Sequence, residues 1–381
     1  MNRKNFYMQS AIDLAAKGKY TAPPNPNVGC VIVENSKIIS KAYHQRAGKE
    51  HAEILALKNL KKKVNDKMIM YINLEPCCHY GKTAPCTKTL INSGIKNIEI
   101  AMLDPNPKVR GKGVKELRKN GIKVNVGSCK IEAVKINKDF VTKHEKKRPY
   151  IIIKQAVSLD SKITSPNKKW ISNKFSREDG HYLRAQSCAI LVSSKTIIND
   201  NPKLNVRLTK KKLSIKSNIR HPIIVILDSN LTVDITRFKV FKTKTKKIIF
   251  NSIKTNFDKK NNIDFIKVVS NKNGLSIQSI MKILSRNYDV KNLLVEPGKR
   301  LLSSFLDKNI FDEIIFYKSS SNVGDNGLET VDIEKTHLNT KKIYQDSVMN
   351  MLNDEAREEI ASSLRTYEKD LTGRKGSFLS D

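Results

Sequence analysis

A histidine, a glutamate and two cysteines are the residues of this chain whose types and spacing best suit chemistry. His51 and Glu53 lie two residues apart at the predicted start of a helix, and Cys77 and Cys86 flank a loop that leads into another helix. One imidazole and two thiolates make three zinc ligands, and a catalytic zinc site keeps its fourth position for water. The pattern predicts a zinc site formed by His51, Cys77 and Cys86.

Glu53 lies just outside this ligand set, where a carboxylate can carry protons. Zinc lowers the pKa of its bound water from near 16 to about 7, so a neighbouring carboxylate can take the proton and return it to the substrate. In nucleobase deaminases the hydroxide attacks the carbon that carries the amine, and ammonia leaves. We predict hydrolytic deamination with Glu53 as the catalytic residue. A structural zinc site or a set of unrelated core residues is the alternative, and the acid already in place favours catalysis.

The spacing of the two cysteines bears on the substrate. Cys86 follows Cys77 by nine residues, whereas deaminases of nucleic acids and free nucleosides commonly carry Pro-Cys-x-x-Cys. The longer loop places His79 and Lys82 at the mouth of the site, which suits a polar, phosphorylated small molecule. Cys78 adjoins a ligand, but neighbours at a strand end point in opposite directions, so we expect it to pack rather than bind zinc.

The charge of the chain raises the question of a nucleic-acid partner. Its 381 residues include 71 Lys and Arg against 37 Asp and Glu, a formal net charge of +34, and such an excess attracts phosphate backbones. A deaminase that edits a nucleic-acid base is therefore one alternative. The lysines are scattered, however, and form no arginine-rich face, so we interpret them as a solvated surface that also steers a phosphorylated substrate. No nucleic-acid partner is expected.

Composition also bears on the compartment. No apolar run approaches the roughly 20 residues that span a bilayer, and residues 1–16 have the pattern of an amphipathic helix rather than a secretory signal. Six cysteines in such a chain favour thiols and metal ligation over disulfides. We expect a cytoplasmic protein without a membrane partner.

The elements that must position these residues form two predicted α/β domains, since the chain is too long for one ordinary core. Periodicity and turn residues in the first domain predict helices at 6–17, 51–58 and 87–92, and strands at 28–34, 38–39, 68–74 and 98–102. This order favours a sandwich with helices on both faces of one sheet. Residues 139–148 lack periodicity, and we place the end of the first domain at residue 146.

The second domain is predicted to span 147–335. Strands are expected at 150–156, 189–192, 223–227, 247–250 and 292–295, and helices at 176–185 and 301–306. Residues 336–381 are interpreted as a divergent tail of unknown role, acidic and helical after residue 350 and flexible from residue 373.

Taken together, the motifs resemble the bifunctional deaminase-reductase of riboflavin biosynthesis. The resembling segments are 24–29, 51–53, 74–79, Cys86, 104–107, 158–160, 170–171, 183–185, 202–207 and 296–298. The likeness covers roughly residues 3 to 330. It implies a cytidine-deaminase-like three-layer sandwich followed by a dihydrofolate-reductase-like domain. It also implies deamination of a diaminopyrimidinone that carries a phosphoribosylamino group, and then NADPH-dependent reduction of its ribosyl chain to ribityl.

The resemblance also implies ligand-binding residues. The pyrimidine pocket of the deaminase would include Asn25, His44, His79 and Lys82. The reductase would hold its substrate with Lys168, Arg184, Leu204, Arg207 and Glu296, and the two arginines suit a phosphate. NADPH would contact Lys154, Val157, Trp170, Thr196, Asp200, Gly298, Lys299, Arg300, Leu301, Leu302, Ser303 and Ser304. In this last stretch a glycine turn and a helix N-terminus could receive the pyrophosphate.

The chain departs from the family pattern in its second half. Ser161 replaces a glycine, Lys168 stands where a serine is common, and Asn201 replaces an aspartate. After about residue 330 the chain does not resemble the last strands of the family. Two alternatives therefore remain for this half: an inactive reductase-like domain, or a noncatalytic oligomerisation module. We expect a homo-oligomer in solution.

Overall fold

The computed structural model describes residues 2–80, 84–165, 170–272, 274–331, 338–343 and 346–352, the last two ranges as backbone only. The chain divides into two compact units, residues 1–147 and 148–381. Within the described ranges, no helix is both long and apolar enough to cross a membrane. All six cysteines lie in these ranges, and each is a free thiol.

The first unit is built on one mixed sheet. Its elements are α1 (Arg3–Ala16), β1 (Gly29–Glu34), β2 (Lys37–Tyr43), α2 (Ala52–Lys58), β3 (Ile69–Leu74), α3 (Cys86–Ser93), β4 (Asn97–Met102), α4 (Lys112–Lys119), β5 (Lys123–Val126), α5 (Lys130–Ile136) and α6 (Lys138–Glu145). The strand order is β2-β1-β3-β4-β5. Strand β1 is antiparallel to both neighbours, and β3, β4 and β5 are parallel.

Helices cover both faces of this sheet. One core packs the sheet against α2, α3 and α4, and the other packs it against α1, α5 and α6. The predicted three-layer sandwich is confirmed. Close approach of α1 to the sheet depends on Gly29, because a Cβ atom there would lie 2.0 Å from the carbonyl oxygen of Ala11. The hairpin between β1 and β2 turns at Asn35 and Ser36, both with positive φ, as a two-residue hairpin turn requires.

Residues 139–148 show no periodicity in the sequence, yet most of them form a helix. Helix α6 occupies Lys138–Glu145 and buries Phe140 and Val141 against the sheet. A helix of eight residues buries one short stripe, which is too brief to give a clear period in a charged sequence. Asn137 precedes this helix and is fully buried, and its side chain donates to the carbonyl of Asn27 and accepts from its amide.

The second unit contains a ten-stranded sheet and a two-stranded one. Its elements are β6 (Tyr150–Val157), α7 (Lys174–Gln186), β7 (Ala189–Ser193), α8 (Ser194–Asp200), α9 (Lys210–Leu213), β8 (Ile223–Leu227), β9 (Lys247–Asn251), β10 (Asn256–Asp258), β11 (Ile263–Lys267), β12 (Ser270–Asn271), β13 (Gly274–Leu275), α10 (Ile277–Asn287), β14 (Asn292–Val295), α11 (Lys299–Leu306), β15 (Glu313–Lys318), β16 (Leu338–Ile343) and β17 (Asp346–Leu352). The large sheet has the order β10-β11-β9-β8-β7-β14-β6-β15-β17-β16, and its centre, from β9 to β15, is parallel.

Two cores lie on the two faces of the large sheet. Alternate residues of β6 enter them, with Ile151 and Ile153 packing toward α10 and α11, and Tyr150 and Ile152 toward α7 and α8. A parallel strand covered on both faces is apolar along its whole length, which explains the continuous apolar run in the sequence. The predicted second α/β domain is confirmed.

The predicted end of the second domain at residue 335 is wrong. Strand β17 pairs antiparallel with β15, from Glu313 opposite Leu352 to Lys318 opposite Ser347, and β16 forms the outer edge. The outer strand β16 is rich in polar residues, as edge strands often are, and this change of composition resembles the end of a domain. The predicted helix and flexible end beyond residue 352 lie outside the described residues.

Candidate active sites

The three predicted zinc ligands all lie where a secondary-structure element begins or ends. His51 is the extended N-cap residue of α2, and Cys86 is the first residue of α3. Cys77 follows the carboxyl end of β3 by three residues. The sheet therefore brings one loop and two helix N-termini to the same edge.

The geometry of the three side chains fits one metal ion. His51 Nδ1 lies 3.1 Å from Cys86 Sγ and 3.7 Å from Cys77 Sγ, and all three ligand atoms lie within 4.8 Å of one another. Ligands of a tetrahedral zinc ion are separated by roughly 3.5 to 3.8 Å, given its bond lengths to nitrogen and sulfur. The donor set fits zinc, and the three atoms lie close enough together for one ion to bind them all.

Cys77 is prepared for ligation by its surroundings. Hydrogen bonds from the Cys86 thiol and the His51 ring hold the pKa of the Cys77 thiol well below its ordinary value, against the effect of burial. The backbone N–H of Cys86 also points at Cys77 Sγ, at 3.4 Å. Because the thiolate is the form that binds metal, Cys77 is a strong ligand at neutral pH.

Glu53 lies in the first turn of α2 and is 2% exposed. Among the described residues, its Oε2 atom is buried without a hydrogen-bond partner. Burial raises the pKa of this carboxyl. A buried carboxylate oxygen without a partner, beside three metal ligands, is suited to exchange a proton with a water in the fourth zinc position.

Of the residues expected in the pyrimidine pocket, His44 contacts the zinc ligand His51, and Asn25 contacts His44. His44 is buried, its Nε2 lies 3.0 Å from Asn25 Nδ2, and its ring packs edge-on against His51 with centroids 5.2 Å apart. His79 Nδ1 is buried and has no hydrogen-bond partner within the described ranges. Lys82 lies outside the described residues.

A second cluster of charged residues lies in the second unit, where β14 ends. Arg184 on α7 donates to both carboxylate oxygens of Glu296, at 2.8 and 2.6 Å. Lys154 on β6 lies over the ring of Tyr317, 5.1 Å from its centroid, and the Tyr317 hydroxyl donates to Asp179 at 2.7 Å. Burial lowers the pKa of Lys154.

Positive charge is concentrated around this cluster. Burial, and then the charges of Arg184 and Arg207, lower the pKa of His181 to about 4. Burial and the charge of Arg184 likewise lower the pKa of Arg207. A group of cations that disfavour one another is suited to bind a phosphate. Sequence reasoning missed His181, although its position three residues before Arg184 places the two on one helix face.

The expected NADPH site has open room at the start of α11. Gly298 is the N-cap of this helix, and a Cβ atom added there would meet nothing within 4 Å. Its φ of −80° means that the turn itself does not require glycine, contrary to the expected glycine turn. The N-cap residue Gly298 provides no side-chain cap, which leaves the first amides of the helix to a pyrophosphate.

The other residues expected to contact NADPH or the reductase substrate differ in whether their side chains are accessible to a ligand. Those of Val157, Leu204, Leu301 and Leu302 are buried in the hydrophobic cores, which leaves their backbones for a ligand. The other expected contacts lie at the surface or at helix ends. Trp170 is half-exposed with Arg177 over its ring, Thr196 lies in the first turn of α8, and Asp200 ends that helix. Lys299 and Arg300 lie in the first turn of α11, and the hydroxyls of Ser303 and Ser304 donate to their carbonyls. Lys168 lies outside the described residues.

Two departures from the family pattern fall on left-handed backbone. Ser161 has a φ of 62° and Asn201 a φ of 41°. The glycine that Ser161 replaces would adopt this conformation without steric strain. Asparagine tolerates it well, so the replacement at position 201 brings little strain. The Ser161 loop is nevertheless closed by backbone hydrogen bonds to Ser158 and from Thr330.

Comparisons with known proteins cover both units. The family model described as "RibD C-terminal domain" matches residues 149–352, and "Cytidine and deoxycytidylate deaminase zinc-binding region" matches residues 1–102. The riboflavin biosynthesis protein RibD of Aquifex aeolicus is 38% identical over 88% of this chain and 94% of its own length, and that of Escherichia coli is 34% identical over 82% and 86%.

Solved structures agree with these matches. RibD of Acinetobacter baumannii superposes with a TM-score of 0.81 at 30% identity, covering 92% of this chain and 98% of that one. A diaminohydroxyphosphoribosylaminopyrimidine deaminase/5-amino-6-(5-phosphoribosylamino)uracil reductase of Thermotoga maritima gives a TM-score of 0.78 at 33% identity, covering 92% and 99%.

Proposed function

This chain belongs to the RibD family, which combines a deaminase and a reductase of riboflavin biosynthesis, and from that premise we propose which residues carry each reaction. It is a bifunctional enzyme with a zinc-binding deaminase domain and an NADPH-dependent reductase domain. The predictions of family, function and cofactors are confirmed.

In the deaminase, His51, Cys77 and Cys86 hold zinc, which when bound makes hydroxide available at neutral pH. Glu53 takes the proton of the water and delivers it to a ring nitrogen of the pyrimidine. Asn25, His44, His79 and Lys82 bind and orient the ring. The observation that carries this assignment is the buried, unpartnered Glu53 Oε2 beside the three ligand atoms.

In the reductase, Arg184 and Arg207 bind the substrate phosphate, and Glu296 fixes the guanidinium of Arg184 for this purpose. The first amides of α11 receive the NADPH pyrophosphate in the room above Gly298. Hydride transfer requires that the nicotinamide be held against the sugar carbon with water excluded. We therefore assign positioning roles here and no general acid or base.

We take the substrate to be a diaminohydroxyphosphoribosylaminopyrimidine, the phosphorylated pyrimidine after which the Thermotoga maritima enzyme is named. Its deaminated product, 5-amino-6-(5-phosphoribosylamino)uracil, is the substrate of the second reaction. An active reductase is supported by the loop around Ser161, whose backbone bonds are intact despite the replaced glycine. Cytoplasmic location and assembly into a homo-oligomer remain predictions.

The test is an assay of both reactions on the same purified protein. Given the diaminopyrimidinone, it should release ammonia and then oxidise NADPH. The Glu53→Gln variant should retain zinc and release no ammonia, yet oxidise NADPH when given the deaminated product. Ammonia release without NADPH oxidation by the unmodified protein would contradict the reductase assignment. Turnover in Glu53→Gln would contradict the role of Glu53, and base conversion in a labelled RNA would favour the nucleic-acid alternative.

A further inference from the structure

Glu75 is a buried carboxylate that no step of either reaction uses. It directly follows β3, lies two residues before Cys77, and is 3% exposed. Its Oε2 accepts hydrogen bonds from the backbone amides of Asp104, at 3.1 Å, and Gly111, at 2.9 Å. Its Oε1 accepts from the amide of Val114, at 3.0 Å. The carboxylate thus binds the loop before α4 and the first turn of that helix.

Helix α4 depends on this carboxylate for its cap. The N-cap residue Gly111 has no side chain, and no side-chain cap bond is formed from that position. The first amides of a helix need acceptors, and a negative charge there is also favoured by the helix dipole. Glu75 meets both needs from a distant point in the sequence.

The fit between the two segments is tight. A Cβ atom added at Gly113, in the first turn of α4, would lie 2.4 Å from the carbonyl oxygen of Pro76 and 3.2 Å from Glu75 Oε1. The backbone between Glu75 and Cys77 therefore rests directly on the helix. On its other side, the carbonyl of Cys77 accepts the amide of Thr87 in α3, at 3.2 Å.

From these contacts we propose that Glu75 is a positioning residue for the zinc site, which holds Cys77 in place by anchoring its loop to the N-terminus of α4. The ligand loop is clamped between α4, through Glu75, and α3, through Thr87. Loss of the carboxylate frees one side of the clamp and lets Cys77 Sγ move away from the other two ligands. This inference rests on the proposed ligand set.

The experiment measures zinc release from the full-length, zinc-loaded protein into a competing chelator. Glu75→Ala should lower the affinity for zinc about 10- to 100-fold, the range found when residues that support metal ligands are removed. Zinc should therefore pass to the chelator at a correspondingly lower chelator concentration. Glu75→Gln, which keeps the shape and one acceptor oxygen, should give a smaller effect in the same direction. Gly113→Ala, which pushes on Pro76 and leaves the carboxylate intact, should also accelerate release.

Glu99→Gln is the matched control. Glu99 is another buried carboxylate of the same unit, on β4, and it accepts bonds from Lys4 and Asn125 away from the zinc ligands. It should lower thermal stability without changing zinc release. If Glu75→Ala does not fold, Glu75→Gln and Gly113→Ala decide the matter.

The outcomes separate this inference from the function on which it depends. Wild-type zinc release in the folded Glu75 and Gly113 variants, with zinc lost in Cys77→Ala, would overturn the positioning role alone. Zinc retained in Cys77→Ala would overturn the ligand set itself. Equal acceleration by Glu99→Gln would show that general destabilisation is enough, and would also overturn the positioning role.

Discussion

Arg184 and Glu296 form a two-point ion pair that joins α7 to the end of β14, with side chains only 15% and 18% exposed. Burial acts to raise the pKa of Glu296, but Arg184 more than offsets this effect and holds it below its ordinary value. Such a pair fixes the plane of the guanidinium. The orientation of the proposed phosphate-binding arginine is therefore set before substrate arrives.

Removing one partner of this pair should destabilise the second unit. We expect Glu296→Ala to lower its free energy of unfolding by about 2 to 4 kcal/mol, because Arg184 is left without its counter-charge among other cations. Trp170, the single tryptophan of the chain, makes fluorescence during urea unfolding a reporter of this unit. Lys212→Ala, which removes the surface pair between Lys212 of α9 and Glu178 of α7, should cost less than about 1 kcal/mol. Equal losses in the two variants would contradict the role given to the buried pair.

His181 should make the stability of the second unit depend on pH. Its folded pKa of about 4 lies below the ordinary value of 6.5. A depressed histidine pKa contributes stability above pH 6.5, and that contribution is lost as pH falls toward 4 because protonation favours the unfolded chain. His181→Gln should remove this component, about 1 to 2 kcal/mol after allowance for solvent screening. The measurement is the difference between the two unfolding curves across this range, and parallel curves would refute the prediction.

Gly298→Val should separate folding from cofactor binding. The backbone there has an ordinary φ of −80°, and a Cβ atom would meet no protein atom within 4 Å, so thermal stability should stay close to that of the wild type. A bulky side chain would instead fill the room proposed for the NADPH pyrophosphate. We expect the KM for NADPH to rise about tenfold, as for a clash of 1 to 2 kcal/mol, with ammonia release unchanged. An unaltered KM would place the cofactor elsewhere.

Ser161→Gly should stabilise the second unit. A non-glycine residue at a φ of 62° bears a steric cost of about 1 to 2 kcal/mol, which glycine avoids at the expense of greater freedom in the unfolded chain. We expect a net gain of about 0.5 to 1 kcal/mol, read from urea unfolding. Ser161→Ala keeps the Cβ atom and should bring no gain. A loss of stability in Ser161→Gly would show that the hydroxyl matters more than the backbone conformation.

The chemistry of the deaminase site could be predicted from the sequence because its ligands and Glu53 lie in short, compact motifs. The role of Glu75 could not, since its partners are backbone amides 29 to 39 residues away, and any residue type except proline could provide them. Strands β16 and β17 escaped prediction because their pairing, of β17 with β15 and of β16 with β17, rather than an apolar pattern, defines them. The central strands β6, β7 and β14 were predicted well because burial on both faces makes them apolar throughout.

The pairing of β6 sets the order in which the two halves can form during synthesis. Its neighbours in the sheet are β14 and β15, so Tyr150 gains a strand partner only after Asn292 has been synthesised. The last strand of the first unit, by contrast, is complete at Val126. Domains generally fold as units from the N-terminus, and distant pairings form slowly. A nascent chain can therefore complete its zinc site while much of the reductase is still being translated.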